Sequence, residues 1–231
     1  MMTNWSTVTW DVARGSGFTA FVLLTLAVLL GLALSMRWQR PAWPRLITNE
    51  LHGFLTLLSL VFLAVHVLAS WLDPFMRFNW TEVFIPLVSH YRPLYLALGI
   101  VGAYLALAVW ISTQLRSRIG FTWWRRLHGL AFGAYLLALF HGLGMGSDTR
   151  TGWAIALYAS SAFLVGALLF IRLITPIGVR GRTYPNLATL LALVLVGGAV
   201  WTYYGPLQPG WNAVANNGQG LSLIHISEPT R

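Results

Sequence analysis

Six apolar runs divide the chain, at residues 15–36, 47–72, 93–115, 122–145, 152–174 and 187–205. Polar stretches carrying Arg, Pro and Gly separate them. As a helix rising about 1.5 Å per residue, each run is long enough to cross a hydrocarbon core roughly 30 Å thick. The pattern predicts an all-α integral membrane bundle of six transmembrane helices over residues 15–205, with the lipid bilayer as its first partner. Residues 1–14 are polar and lack the apolar core and cleavage site of a secretory signal. They are expected to form an extracytoplasmic N-terminus. Between the second and third runs, residues 73–92 include WTEVFIPLV, which predicts a short interfacial element interrupted at Pro86. Residues 206–220 read as an extracytoplasmic linker, expected to be truncated. The string at 221–231, LSLIHISEPTR, resembles the read-through translation of a transposase sequencing adapter. It is expected not to be native, so His225 is set aside and the natural chain is expected to continue past Gly220.

Four histidines interrupt two of these runs. His52 and His66 lie in the second, 14 positions apart, and His128 and His141 lie in the fourth, 13 apart. An ionisable residue inside a membrane is costly and marks a functional site by default. Each separation corresponds to roughly 20 Å along a helix, which places one imidazole toward each side of the hydrocarbon core. If the second and fourth helices run parallel, His52 faces His128 at one level and His66 faces His141 at the other. Two facing imidazoles supply both axial ligands of a haem iron. The spacing therefore predicts two haems between the second and fourth helices, with these four histidines as iron ligands.

Composition narrows the cofactor. The chain of 231 residues is 57% hydrophobic and 9% charged, too apolar for an ordinary soluble domain. It has no cysteine, which excludes disulfides, thiolate-ligated haem, iron–sulfur clusters and covalent c-type attachment. Any haem is then b-type and held without covalent bonds.

Charge gives orientation. The net charge is +9, and all 15 basic residues are Arg. They sit in short loops between apolar runs, so they report topology rather than a nucleic-acid partner. Arg37, Arg40 and Arg45, then Arg116, Arg118, Arg125 and Arg126, then Arg172, Arg180 and Arg182 fall on one side. Arg14, Arg77, Arg92 and Arg150 fall on the other. Ten against four predicts a cytoplasmic first group, both termini extracytoplasmic, and a multi-pass protein of the inner (plasma) membrane. The second and fourth helices then both run from inside to outside, as the facing pairs require. Trp38, Trp43, Trp71, Trp110, Trp123, Trp124, Trp153 and Trp201 fall near segment ends, as an interfacial belt should.

The neighbours of the histidines add detail. Gly53, Gly129 and Gly142 directly follow His52, His128 and His141. A residue without Cβ lets backbone approach a flat macrocycle, so these three are candidate cofactor contacts. Gly129 and Gly133 also form G-x-x-x-G, which reads equally as close helix packing. Arg125 and Arg126 precede His128 by less than a turn. They mark the cytoplasmic side, or one of them pairs with the carboxylates of the inner haem. His90, Tyr91 and Arg92 fall on the outer rim, either solvated or lining an electron exit. One difficulty stands. At about 100° per residue a 13-residue separation turns His141 roughly 140° from His128. Either the second haem is offset around the bundle or the fourth helix is distorted.

The H-x13-H of His52/His66 and the H-x12-H of His128/His141, two helices later, resemble the ferric reductase-like transmembrane domain superfamily. That superfamily includes NADPH oxidases, metalloreductases and the haem-binding subunit of a bacterial methionine sulfoxide reductase system. The resemblance covers about residues 15–174. It implies a di-haem b-type cytochrome moving electrons from the cytoplasmic side to an extracytoplasmic acceptor. Many members continue into a cytoplasmic flavin and nicotinamide domain. Here no FAD or NAD(P)H site is expected, because the sixth helix returns the chain outside. The expected donor is a separate cytoplasmic reductase or a membrane quinol. The expected acceptor is an extracytoplasmic partner or a C-terminal domain lost by truncation. Two other readings stand beside it. One is a quinol-linked cytochrome b subunit of a dehydrogenase or respiratory complex. The other is a transporter or structural membrane protein with polar core histidines.

Overall fold

The computed structural model describes residues 3–37, 44–74, 76–176 and 183–211. Every regular element among them is a helix: α1 (Thr3–Ser35), α2 (Arg45–Leu72), α3 (Trp80–Phe84), α4 (Pro93–Gln114), α5 (Arg116–His128), α6 (Leu130–Met145), α7 (Gly152–Ile174) and α8 (Pro185–Tyr204). Six helical stretches are long and apolar enough to cross a membrane, with α5 and α6 together making the fourth. The chain has the build of a multi-pass membrane protein. Large apolar side chains face outward, including Phe54, Leu57, Val61, Leu68 and Leu72 on α2. In lipid such a face needs no cover, since hydrocarbon solvates it. Trp38, Trp43, Arg40, Arg180, Arg182, most of the expected linker and the 221–231 string lie outside the described residues.

α1 is the centre of the bundle. α2 packs along one side of it, and α6 and α7 along the other. Phe21, Val28 and Leu32 of α1 meet Tyr135, Leu139 and Leu143 of α6 and Tyr158 and Val165 of α7 in the main apolar cluster. A hydroxyl chain pins the same three helices. Ser161 Oγ lies 2.9 Å from Thr25 Oγ1 and 2.7 Å from Tyr135 Oη, all buried. Away from water such bonds hold helices together, each worth on the order of 1 kcal/mol. α4 packs along α6, and glycine sets how closely. A Cβ on Gly102 would stand 3.3 Å from Leu137 Cβ, and one on Gly133 would stand 3.3 Å from Leu105 Cδ1. Half of the G-x-x-x-G motif thus serves helix packing.

Three regions depart from expectation. α1 begins at Thr3, 12 residues before the expected start at 15. Its polar first turns find partners that let the helix continue. Arg14 pairs with Asp148, and Thr9 Oγ1 donates to Asp73 Oδ1 at 3.0 Å. The fourth span is not one helix. Gly120 takes φ 79° and ψ 160°, a conformation open to glycine and not to a helix. A second junction falls at Gly129. Residues 206–211, expected as linker, turn back on the bundle. Trp211 Nε1 donates to Gly144 O at 3.1 Å, and its ring packs against Tyr95 and Trp201.

The interfacial element after α2 is α3, and its start is a capping box between Asn79 and Glu82. Glu82 is buried and accepts from the Asn79 and His90 amides at 2.9 and 3.0 Å and from His90 Nδ1 at 2.5 Å. Burial pushes its pKa up, but these hydrogen bonds and the His90 charge outweigh it and hold the carboxyl below its ordinary value. A folded-state pKa below the unfolded one stabilises above the unfolded value and is lost as pH falls through the folded one. Hydrogen-exchange protection across 79–90, corrected for intrinsic rate, should therefore fall as pH drops below about 4. Glu82→Gln should flatten that dependence.

The fold also carries a topology expectation. Reporter fusions within 116–126 and within 148–152 should give opposite signals, because the apolar run 127–145 between them is about the length of one membrane crossing. The same signal from both would break the parallel arrangement of α2 and α6.

Candidate functional site

The four histidines meet as two pairs. The His52 and His128 ring centroids lie 6.1 Å apart and those of His66 and His141 lie 6.2 Å apart. The order is parallel, with lower numbers at one level and higher numbers at the other. The levels are separated by 14 helical residues on α2, or about 21 Å. These distances have a chemical meaning. Two imidazoles sharing a proton in an N–H···N bond would place their centroids nearer 5 Å, given a heavy-atom distance of about 2.9 Å. Two imidazoles on opposite sides of one metal, with metal–nitrogen bonds of about 2.0 Å, place them about 6.3 Å apart. Both centroid separations are close to the second distance.

Three of the four rings are locked by the backbone of a neighbouring helix. Nδ1 of His66 lies 2.7 Å from Ala13 O, Nδ1 of His52 2.8 Å from Ala27 O, and Nδ1 of His141 2.9 Å from Tyr95 O. A carbonyl only accepts, so each Nδ1 carries the proton and each Nε2 keeps a free lone pair. That tautomer is the one a metal needs, and the second hydrogen bond raises the basicity of the ligand. His128 Nδ1 is buried and has no hydrogen-bond partner.

Glycine makes these locks possible. A helix carbonyl is shielded by the side chain four positions on. Four residues after Ala13, Ala27 and Tyr95 stand Gly17, Gly31 and Gly99. A Cβ on Gly17 would lie 2.8 Å from His66 Nδ1, one on Gly31 3.3 Å from His52 Cε1, and one on Gly99 2.5 Å from His141 Nδ1. These glycines sit on α1 and α4, not beside the histidines in sequence, and were not among the residues singled out there. A signal was present. Ala13 to Ala27, Gly17 to Gly31 and His52 to His66 are all separations of 14, as two antiparallel helices in register require.

The glycines adjacent to the histidines stand elsewhere. A Cβ on Gly53 would meet nothing within 4 Å, one on Gly129 would meet the carbonyl of Arg126 one turn back, and one on Gly142 would lie 2.5 Å from Tyr158 Oη of α7. Arg125 and Arg126 are exposed near the His128 end of the fourth span and lie over the rings of Phe121 and Trp123. His90 belongs to the Glu82 cap. His128 ends α5 and His141 lies within α6, and Gly129 between them keeps helical φ −61° and ψ −22°; each histidine meets its α2 partner all the same. The Gly129 amide points at both Arg125 O and Arg126 O, at 3.3 and 3.2 Å, a locally tightened turn.

The donor set limits what each pair can hold. Among the described residues no group of three His, Cys, Asp or Glu is arranged to take a metal ion. A bare zinc or copper ion wants three or four protein ligands. A metal that brings its own equatorial ligands wants two, on opposite faces. Each pair offers two imidazoles, the number such a metal needs from the protein. Comparison with protein-family models, curated proteins and solved structures finds no match.

The glycine locks are testable by size. Gly99→Ala should destabilise the detergent-solubilised protein by about 1–3 kcal/mol through overpacking against His141. Gly53→Ala, in open space, should be neutral or stabilising by up to about 1 kcal/mol. Thermal midpoints of the two variants measure the contrast.

Proposed function

We propose that this chain is a di-haem b-type cytochrome of the inner membrane, passing single electrons from a cytoplasmic donor to an extracytoplasmic acceptor. The observation that carries the reading is the pair of imidazole pairs, each at metal-bridging distance, one above the other along α2. Haem, when bound, supplies one-electron redox chemistry at its iron. The chain's own residues do the rest. His52 with His128, and His66 with His141, would hold the two haems. Ala13, Ala27 and Tyr95 orient three of the rings. The apolar faces of α2, α4 and α6 exclude water and lower the local dielectric. Arg125 and Arg126 offer guanidinium groups to carboxylates at the inner end, where Arg binds by paired hydrogen bonds. The H-x13-H and H-x12-H spacings, which resemble the ferric reductase-like superfamily, support the same reading. A separate reductase or a membrane quinol serves as donor.

One feature favours the quinol-linked cytochrome b alternative. A shallow, open apolar groove of ≈ 300 Å³ lies between α4, α6 and α8, lined by Leu94, Tyr95, Leu98, Phe140, Gly197, Gly198 and Trp201. Its wall includes Tyr95, whose carbonyl holds His141. A flat apolar ring such as a quinone has the right chemistry for it.

The purified protein should contain two haems per polypeptide by pyridine haemochrome assay, both low-spin. Replacing His66 or His141 with Ala should remove the same haem, and replacing His52 or His128 the other. One haem or none in the unaltered chain, or loss of the same haem from His52 and His141 variants, overturns the reading. Reduction of the protein by a short-chain quinol alone would select the quinol-linked form.

A further inference from the structure

The two pairs are not equivalent, and the reason lies on α4. α4 runs antiparallel to the fourth span. Tyr95 O meets His141, Gly102 meets Leu137, and Thr113 meets Trp124. In each of these contacts the two residue numbers sum to 236–239. The same register sets Val109 at the level of His128. Val109 follows Tyr95 by 14 positions, as Ala27 follows Ala13, so Val109 O is the acceptor that would complete the set. It is occupied. Ser112 Oγ donates to it at 2.8 Å and Thr113 Oγ1 at 3.0 Å. Thr113 stands four residues on, where the other three acceptors have glycine. Its Cβ shields the carbonyl, and its hydroxyl is held in turn by Trp124 Nε1 at 3.3 Å. The contrast with α1 is specific. Ser16 also lies near a locking carbonyl, Ala13 O at 3.2 Å, but its hydroxyl sits closer to Val12 O at 2.5 Å and leaves Ala13 O to His66. His128 Nδ1 is thus buried without a partner, and His128 is the last residue of α5, at the Gly129 junction.

Building on the haem reading above, we infer that His128 is the exchangeable ligand of the bundle, and that the His52/His128 site accepts a small neutral ligand such as carbon monoxide where the His66/His141 site does not. A locked imidazole is more basic and has its orientation fixed, and losing such a partner lowers metal affinity about 10–100-fold. The exchange is a substitution. The bond to His128 Nε2 breaks, a bond to the incoming ligand forms, and no electron or proton is transferred. Thr113 is a positioning residue in this scheme, acting through Val109 O.

The test uses the full chain purified with its haem and reduced by dithionite. Carbon monoxide difference spectra should show about half of the haem reactive. Thr113→Gly with Ser112→Ala frees Val109 O for His128 Nδ1 and should slow that reaction about 10–100-fold, with haem content unchanged. The opposite change, Gly31→Ser, places a hydroxyl over Ala27 O and loosens His52. It should speed carbon monoxide binding at the same site, so the inference stays testable if the double variant does not fold. A protein with two haems, neither reactive, overturns this inference and leaves the haem reading standing. Equal reactivity in unaltered and double-variant protein also overturns it, as does reactivity that persists when the His52/His128 haem is removed by His52→Ala. A protein without haem overturns both.

Discussion

An imidazole inside a hydrocarbon core has two nitrogens to satisfy, and the bundle is arranged around that requirement. One nitrogen is needed for the iron in the proposed sites. The other must find an acceptor where no water is present, or its burial costs several kcal/mol. A neighbouring helix has carbonyls at hand, already engaged in its own ladder but able to accept a second bond. They are reachable only where the side chain one turn on is missing. Gly17, Gly31 and Gly99 meet that condition. So the placement of three glycines on α1 and α4 decides which way three histidines on α2 and α6 point.

This gives α1 two tasks at once. One face carries Phe21, Val28 and Leu32 into the main apolar cluster with α6 and α7, and Thr25 into the hydroxyl chain. Another face presents Ala13 O and Ala27 O to α2. Because α6 packs on α1 and α4, the histidines on α2 and on the fourth span are referred to a common frame. Two ring separations that agree within 0.1 Å at levels about 21 Å apart follow from that frame. Small residues at the contacts allow it, as Gly102 and Gly133 do between α4 and α6.

The end of the bundle beyond His141 is built more tightly than a set of simple loops. Arg92 donates to Gly144 O, Trp211 reaches the same carbonyl, and Thr149 Oγ1 lies over Leu143 O. These contacts satisfy carbonyls at the end of α6 that the helix itself leaves open. They hold the C-terminal side of α6, and with it His141, firmly. At the other end Gly120 and Gly129 interrupt the span and His128 lacks a partner. The asymmetry between the two pairs therefore has a backbone origin as well as a hydrogen-bond one.

Much of this was legible along the chain. Length and apolar character alone place the six spans, because a bilayer imposes one dimension on every crossing helix. The rise per residue gives the two levels of histidine, since depth depends only on counting along a helix axis. Rotation about the axis is another matter. Counting puts His141 roughly 140° from His128, yet both meet partners on α2, with a tightened turn at Gly129 between them. Adjacency along the chain did not point to the glycines that meet the rings. Gly53, Gly129 and Gly142 are next to the histidines in sequence, yet a neighbour in a helix points about 100° away. The glycines that meet the rings lie on other helices. Gly17 stands 49 positions from His66, Gly31 stands 21 from His52, and Gly99 stands 42 from His141. Which helix faces which, and so which carbonyl meets which imidazole, is decided by packing between segments, and no count along one segment contains it.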